Sequence, residues 1–159
     1  MADKLLLQIL NLKKTYGPKV IFDEANVSIT EKVKIGVIGR NGAGKSTLFK
    51  MIMDLEQPDW GEVIKTSDLR LGYIPQVDPY DPSETIMGFL TRYTGREEWE
   101  CAKVASQFQL KGDMLTNPIS NLSGGFQMRV KLTSTLLFEP NLLLLDEPTN
   151  YLDLSTLIL

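Results

Sequence analysis

Histidine is absent from this 159-residue chain, and cysteine occurs once, at Cys101. Without histidine the chain has no imidazole general base, no histidine metal ligand and no histidine pH switch. A single cysteine excludes an intrachain disulfide, and the apolar neighbours of Cys101 predict a buried thiol that acts as a small hydrophobic side chain.

Basic residues are not in excess, and no apolar run is long enough to cross a membrane. The net charge is -3, so bulk charge gives no argument for nucleic-acid binding. The run Leu5–Leu10, broken by Gln8, is neither a signal peptide nor a membrane span. With 43% hydrophobic and 23% charged residues, the chain is expected to form one soluble, cytoplasmic domain with a substantial core.

A glycine-rich stretch, GRNGAGKST at residues 39–47, fits the pattern G-x-x-x-x-G-K-[ST]. Its glycines can reach positive φ, which lets successive backbone N–H groups turn inward and cradle phosphate oxygens. Lys45 would place a point charge beside the outer phosphates, and the Ser46 hydroxyl would ligate Mg²⁺ at a helix N-terminus. The other predicted phosphate-binding residues are Gly39, Asn41, Gly42, Ala43, Gly44 and Thr47.

The surroundings of this stretch favour a phosphate-binding loop. An apolar strand is predicted before it at Lys32–Ile38, and a helix after it from Gly44 to about Asp54. Strand, glycine loop and helix then follow one another in the order that the motif requires. The alternative interpretation is a glycine turn in an ordinary α/β unit.

Short strands are predicted on both sides of this core. Lys4–Leu12 and Val20–Ile29 are β-like runs separated by the turn signal Tyr16-Gly17-Pro18, which predicts a hairpin-rich opening. Two further short strands are predicted at Glu62–Thr66 and Leu69–Ile74.

The segment Gln76–Asn121 predicts a helical insertion. Asp81 and Glu84 form a capping-box pattern, after which Ile86 and Phe89 begin an apolar face. A second amphipathic helix is predicted at Glu97–Leu110. These stripes favour packing against the core over a membrane or a partner helix.

The residues Ser123, Gly124 and Gly125 precede a predicted helix from Phe126 to about Phe138. Such a sequence is commonly a flexible helix cap. Alternatively, the exposed amides, the Ser123 hydroxyl and the helix N-terminus form a second anion site.

The run Leu142–Leu145 is continuously apolar and ends in Asp146 and Glu147, as in a buried strand with acids at its carboxyl edge. Asp146 can hold Mg²⁺ through its water shell, and Glu147 can polarise a water that attacks a γ-phosphate. The alternative is that both are solvated acids at the end of a strand.

In order, the stretches GRNGAGKST, YIPQ, LSGGFQMR, LLLLDEP and TNYLD resemble the Walker A, Q-loop, signature, Walker B and D-loop of an ATP-binding cassette (ABC). The resemblance implies that Tyr16 stacks on adenine and that Gln76 joins Ser46 at Mg²⁺. It also implies that residues 123–125 contact the γ-phosphate of a nucleotide held by another cassette, with Asp153 facing that partner. The implied catalytic residues are Lys45, Gln76 and Glu147.

The resemblance implies an α/β P-loop NTPase fold with an antiparallel β subdomain and a helical subdomain, incomplete at its C-terminus. We expect residues 1–75 to form the β subdomain and Walker A core. Residues 76–138 would form the Q-loop, helical subdomain and signature helix, and residues 139–159 the Walker B strand and D-loop. The implied ligands are ATP and Mg²⁺, and the implied partner is a second cassette, in the same full-length chain or in a homodimer.

The spelling EPTNYLD and the presence of Phe126 most resemble subfamily F of the cassettes (ABC-F), soluble proteins with two cassettes that generally act on the ribosome. Several give resistance to ribosome-targeting antibiotics, and the resemblance implies a ribosome and tRNA partner for the full-length parent. Two alternatives are the ATPase subunit of a transporter and a nucleotide-binding fragment without turnover. A kinase or GTPase is disfavoured, because neither combines LSGG with a D-loop.

The chain ends at Leu159, soon after the D-loop, and lacks the switch histidine of complete cassettes, so we expect a fragment with weak or no ATPase activity. In related sheets the next strand lies between the Walker A and Walker B strands. Without that strand both neighbours would present unpaired edges, and we expect an oligomer or a rearranged sheet.

Overall fold

The computed structural model describes residues 3–33, 35, 40, 42–74 and 77–145. They belong to two compact units that divide the chain between Leu71 and Gly72. The division of the sequence into three functional segments stays a prediction.

A long β-hairpin opens the first unit. Strands β1 (Leu5–Tyr16) and β2 (Lys19–Thr30) are antiparallel, and Tyr16 pairs with Lys19 across a two-residue turn. Gly17 in this turn has φ 57°, the left-handed conformation that tight hairpin turns favour. The predicted hairpin is therefore present, and Tyr16 belongs to its first strand rather than to the turn.

A third strand, β3 (Trp60–Lys65), pairs antiparallel with the other edge of β1 and gives the sheet order β2-β1-β3. The register of this pair shifts between Leu10 and Lys13 of β1. A Cβ atom on Gly61 would lie 2.4 Å from the carbonyl oxygens of both Leu10 and Asn11, so only glycine fits this bulge. The buried side chains of the central strand include Leu6, Leu7, Ile9 and Leu12.

Helix α1 (Lys45–Ile52) follows the glycine-rich stretch and buries Phe49, Met51 and Ile52. It begins within one residue of its predicted start. It ends before Asp54, which has φ 60° and therefore cannot continue an α-helix.

The buried strand predicted at Lys32–Ile38 is wrong for the residues of this range that the structure describes. Lys32 lies in a turn with φ 64°, and Val33 and Ile35 lie outside any strand. Their side chains are 48% and 47% exposed, whereas a strand buried on both faces would cover them. The positive φ at Lys32 redirects the chain just after β2, and an apolar sequence pattern carries no sign of such a turn.

Helices dominate the second unit. Helices α2 (Ile86–Thr94) and α3 (Glu98–Gln107) are followed by two short 3-10 helices, Gly112–Thr116 and Ile119–Asn121, and then by α4 (Gly124–Leu136). Cys101 is fully buried as predicted, and burial raises the pKa of its thiol. The buried members of the main core are Tyr80, Ile86, Phe89, Leu90, Cys101, Ala105, Leu110, Ile119, Val130 and Leu137.

Two short strands, β4 (Leu71–Tyr73) and β5 (Leu142–Leu144), form a second sheet. The strands predicted at Leu69–Ile74 and Leu142–Leu145 are therefore present in shortened form. Leu144 is buried, whereas Leu142 and Leu143 are partly exposed, so burial on both faces is incomplete.

The capping box predicted at Asp81 and Glu84 is wrong. The Asp81 carboxylate accepts hydrogen bonds from the backbone N–H and the hydroxyl of Ser83, at 2.8 and 2.6 Å. Thr85 caps α2 instead, through a 3.1 Å bond from the Gly88 N–H to its hydroxyl oxygen. The short Asx turn competes with helix capping for the Asp81 carboxylate, and the helix begins later for that reason.

Candidate functional site

The described part of the glycine-rich stretch consists of Arg40 and residues 42–47, while Gly39 and Asn41 lie outside the described residues. The Ala43 N–H donates to the Arg40 carbonyl oxygen at 3.0 Å and closes a tight turn. Gly42, the third residue of this turn, has φ 78°, a conformation that a side chain would disfavour. The described part of the loop therefore turns at a glycine with positive φ, and phosphate binding by these residues stays a prediction.

Gly44 connects this turn to helix α1. It has φ 106° and ψ 5° and serves as the N-cap of the helix. A Cβ atom at this position would lie 2.3 Å from Ile21 Cγ2 and 3.2 Å from the ring of Phe22, both on strand β2. Glycine is thus required for its backbone conformation and for close packing, and the hairpin fixes the loop at the start of α1.

Two lysines approach the loop. Lys45, at the start of α1, donates from Nζ to the Arg40 carbonyl oxygen at 3.3 Å. Lys19, at the start of β2, donates from Nζ to the Gly42 carbonyl oxygen at 2.7 Å. The structure therefore places a second ammonium group at the loop. Sequence analysis missed Lys19, although its position opposite Tyr16 in a hairpin could have suggested it.

Ser46 and Thr47 occupy the first turn of α1. Ser46 is exposed and Thr47 is partly buried. Hydroxyl oxygen is a ligand type that Mg²⁺ accepts, so Ser46 fits the metal role predicted for it. Gln76 and Asp146, the other two predicted metal ligands, lie outside the described residues.

The predicted adenine-stacking residue, Tyr16, is the last residue of β1 and is 46% exposed. Its hydroxyl donates to Glu56 Oε1. Lys14 Nζ lies over the same ring, 5.5 Å from its centroid. The sequence patterns mark neither neighbour. Glu56 is separated from Tyr16 by the entire glycine-rich stretch and α1, whereas Lys14 lies two residues before Tyr16 on the same strand.

Lys14 lies at the centre of a polar cluster and has only 9% of its surface exposed. Its ammonium contacts the carbonyl oxygen of Gln57 at 2.8 Å, Glu56 Oε1 at 3.1 Å and Asp59 Oδ1 at 3.3 Å. Each of its three donors thus has an acceptor. The Glu56 and Asp59 hydrogen bonds raise the pKa of Lys14 against the opposing effect of burial.

The carboxylates of this cluster are held in their charged form. The Tyr16 hydroxyl and then the Lys14 ammonium lower the pKa of Glu56. Asp59 accepts from the Thr15 N–H at 2.7 Å and from its hydroxyl at 2.8 Å, and these bonds lower the pKa of Asp59. The turn after α1 is therefore fastened to the end of β1.

The Ser-Gly-Gly sequence lies in the second unit, at the start of α4. Ser123 is the N-cap, with φ -64° and ψ 157°, but its side chain makes no capping hydrogen bond. Ser123 and Gly124 are exposed. Ser123 therefore occupies the N-cap position without using its hydroxyl as a cap, and the anion-site interpretation stays a prediction.

Phe126 follows these residues on α4. The Arg129 guanidinium lies 4.8 Å from the centre of its ring, and Arg129 Nη1 donates to Gln109 Oε1 at 2.8 Å. The ring is partly buried and packs against the main core of the unit. Phe126 is therefore a packed part of the helix start.

Two more predicted residues, Glu147 and Asp153, lie outside the described residues. Strand β5 ends at Leu144, and Leu145 packs on a small cluster with Ile74, Phe108 and Leu132. The described Walker A residues, 40 and 42–47, thus belong to the first unit, and the predicted signature residues 123–125 belong to the second.

A family model described as "ABC transporter" matches residues 22–150. The chain belongs to this family. It is an ABC ATP-binding domain, and ABC domains generally hydrolyse ATP. The stretches from the glycine-rich loop through LSGG to EPTN lie within the match.

Two curated ABC relatives are equally similar in sequence. The energy-dependent translational throttle protein EttA of Escherichia coli K12 is 38% identical over 163 aligned positions, which cover 99% of this chain and 29% of EttA. The zinc import ATP-binding protein ZnuC of Mannheimia succiniciproducens is 38% identical over 152 positions, covering 94% of this chain and 57% of ZnuC. This chain therefore spans well under two thirds of either relative.

Solved structures show the same ABC fold. A putative ABC transporter ATP-binding protein from Pyrococcus furiosus matches with a TM-score of 0.79 at 23% identity, covering 94% of this chain and 79% of that one. A structure titled as the ATP-binding subunit of an ABC transporter matches with a TM-score of 0.75 at 25% identity, covering 96% and 70%. The P-loop NTPase fold predicted from the sequence is confirmed.

None of the helices in the described part of the chain combines the length and the apolar character needed to span a membrane.

Proposed function

We propose that this ABC domain binds Mg-ATP through residues 39–47. The observation that carries the proposal is the described loop, in which a left-handed Gly44 leads directly into α1 and two lysine ammonium groups reach loop carbonyls. A helix N-terminus beside two positive charges stabilises phosphate. Lys45 contacts the outer phosphates, the amides of the loop cradle the rest, and Tyr16 stacks on adenine.

The Mg²⁺ ligands in this proposal are Ser46, Gln76 and Asp146. When bound, the ion neutralises charge on the phosphates. Glu147 orients the attacking water and holds its proton, and Gln76 is a further catalytic residue in this proposal. Gly39 and Asn41 complete the phosphate cradle.

Hydrolysis in this proposal needs two cassettes. The amides and hydroxyl of Ser123–Gly125 complete the phosphate site of a partner cassette, and Asp153 faces that partner. The unused capping capacity of Ser123 and its exposure support this role. Fixed donors of this kind stabilise charge that develops in the transition state, which bulk water does less well.

We infer that the parent protein is of the ABC-F type and acts on the ribosome. The spelling TNYLD, the presence of Phe126 and the similarity to EttA support this inference. The equal similarity to ZnuC supports a second candidate, the ATPase subunit of a transporter. A cytoplasmic location fits the first candidate.

Calorimetric titration with Mg-ATP tests the binding proposal. Lys45→Ala should raise the Kd at least about tenfold, because it removes a charge-assisted contact to phosphate. Lys103→Ala, which removes an exposed lysine of α3, is the control and should leave the Kd unchanged. Equal affinity of the wild type and Lys45→Ala would refute the proposal.

The order of the ATPase reaction tests the need for a second cassette. Activity of the isolated chain should be very low and should rise more steeply than linearly with protein concentration. Robust turnover that is first order in protein at high dilution and is abolished by Glu147→Gln would show that one chain suffices.

The coding sequence downstream of Leu159 separates the two candidate parents. A linker followed by a second phosphate-loop motif supports the ABC-F assignment. A single cassette accompanied by a membrane permease supports the transporter assignment and overturns the ribosomal one.

A further inference from the structure

We propose that Glu56 is a positioning residue that orients the Tyr16 ring for stacking on the nucleobase. This inference rests on the proposed role of Tyr16 in ATP binding. The motif pattern assigns nothing to Glu56, which lies in the turn between α1 and β3. The structure nevertheless brings its carboxylate to the hydroxyl of Tyr16.

An exposed tyrosine at the end of a strand ordinarily samples several side-chain rotamers. Tyr16 is 46% exposed and stands next to a two-residue turn, so packing alone does not fix its ring. The bond from its hydroxyl to Glu56 Oε1 anchors the far end of the ring. With the strand fixing the Cα atom and Glu56 fixing the hydroxyl, the ring is held at both ends.

The anchor is itself held in place. Glu56 Oε1 also lies 3.1 Å from Lys14 Nζ, and Lys14 is fixed by Gln57 and Asp59. Asp59 is bonded in turn to Thr15, the residue before Tyr16. The hydrogen bonds and ion pairs of the cluster thus connect the turn after α1 to the end of β1.

The charge of Glu56 strengthens this anchor. A hydroxyl that donates to a carboxylate forms a stronger hydrogen bond than one between neutral groups. Lys14 and Tyr16 both lower the pKa of Glu56, so the acceptor stays charged at neutral pH. Replacing the carboxylate by an amide keeps the size of the side chain and removes this charge.

The same cluster leaves the ring suited to stacking. Lys14 Nζ lies over the ring at 5.5 Å from its centroid and so occupies one of its two faces. A planar base requires only one face of the ring, and 46% of the surface of Tyr16 is exposed. The proposal places the base on the face of the ring away from Lys14.

The test compares two ligands that differ in the base. ATP carries both triphosphate and adenine, whereas inorganic tripolyphosphate carries only the phosphates, and both are titrated with Mg²⁺ into the whole chain by calorimetry. Tyr16→Phe and Glu56→Gln should each raise the Kd for ATP about three- to tenfold, a part of the full stacking contribution. The Kd for tripolyphosphate should change less than twofold.

A double variant separates positioning from general stability. Tyr16→Phe removes the hydrogen bond to Glu56, and Glu56→Gln removes the charge of its acceptor. Because both changes act on the same contact, the double variant should bind ATP no more weakly than Tyr16→Phe alone. Glu62→Gln, an exposed carboxylate on β3, is the matched control and should bind both ligands like the wild type. If Glu56→Gln does not fold, the Kd values of Tyr16→Phe for ATP and for tripolyphosphate test the proposal by themselves.

The outcomes are distinct. Equal weakening of ATP and tripolyphosphate binding, additive effects in the double variant, or unchanged ATP affinity in Tyr16→Phe would overturn the positioning role. A wild-type chain that binds neither ligand would refute the proposed function itself, and the positioning role with it.

Discussion

The two units stabilise their candidate sites by different means. In the first unit, Gly44 is enclosed by Ile21 and Phe22, and Tyr16 is anchored by a cluster of charged residues. In the second unit, Ser123 stands at the start of a helix whose inner face packs on a core of apolar side chains. The first site therefore depends on close backbone fit and charge, whereas the second depends on buried apolar area.

This difference indicates how each site should respond to substitution. A site held by backbone fit is sensitive to one added methyl group at the point of contact. A site held by a core is sensitive to the loss of buried volume and tolerant of changes at the surface. The four predictions below test this contrast.

Phe89→Ala should have the largest effect on stability. Phe89 is fully buried in the main core of the second unit and contacts the rings of Tyr80 and Tyr93. Its truncation should lower the free energy of unfolding by about 3–5 kcal/mol. Trp99→Ala, which truncates an aromatic side chain that is 67% exposed, should cost no more than about 0.5 kcal/mol. Chemical denaturation measures both, and similar losses would contradict a core-dominated second unit.

Gly44→Ala should be the next most damaging change. It adds strain from positive φ to a 2.3 Å clash with Ile21, for a combined cost of roughly 2–4 kcal/mol. Gly95→Ala is a suitable control, because Gly95 has φ 67° but no atom within 4 Å of the added Cβ. Its cost should stay near 1–2 kcal/mol.

A second variant isolates the clash at Gly44. Ile21→Ala combined with Gly44→Ala should be more stable than the sum of the two single changes predicts. Strict additivity in denaturation experiments would mean that the hairpin does not constrain the loop.

Acid should weaken the charged cluster of the first unit. Glu56 and Asp59 have lowered pKa values in the folded protein, so their contribution is fully present above their ordinary values of 4.5 and 3.8. It is lost as the pH falls through the lower folded values. Asp59→Asn should therefore flatten the decline of stability below pH 3.8, the ordinary pKa of this carboxyl. Thermal melts from pH 7 to pH 2 measure this decline. If Asp59→Asn leaves the dependence of stability on pH unchanged, the cluster does not stabilise the first unit.

Tyr80→Phe should have the smallest effect at neutral pH. The Tyr80 hydroxyl is buried without a hydrogen-bonding partner among the described residues, although Asp78 is near enough to affect its pKa. Removing the hydroxyl should leave stability unchanged or raise it by about 1 kcal/mol.

At alkaline pH, the stability of Tyr80→Phe should differ more clearly from that of the wild type. Burial and then Asp78 raise the pKa of Tyr80 from 10.0 to about 12. Tyr80 therefore makes the wild type lose stability between pH 10 and 12, as the hydroxyl ionises more readily in the unfolded chain. Tyr80→Phe should lack this loss, and denaturation at pH 8 and pH 11 tests it.

Local patterns in the sequence were sufficient for several of the elements and for the family. The hairpin, the helix after the glycine-rich loop, the two amphipathic helices and the buried Cys101 all follow from periodicity and turn residues within a few positions of each other. The motif stretches were likewise readable, because phosphate binding places its glycines, lysine and serine next to one another in the chain.

Where two local interpretations competed, only the three-dimensional structure decided. The Asp81 carboxylate accepts a hydrogen bond from Ser83 instead of capping a helix. Lys32 adopts a positive φ in a turn, where an apolar run predicted a strand. The first outcome is a local Asx turn and the second is a backbone conformation at one residue. The pattern of apolar and polar residues encodes neither.

The sequence by itself determined that this chain is an ABC ATP-binding domain, because each of the family's motifs consists of contiguous residues. Only the tertiary structure placed Lys19 at the Gly42 carbonyl and Glu56 at the hydroxyl of Tyr16. Lys19 and Glu56 are 23 and 40 positions away from these partners. Pairings over such distances form when strands and helices pack. Of these two residues, only Lys19, which lies opposite Tyr16 in the hairpin, had a signal in the sequence.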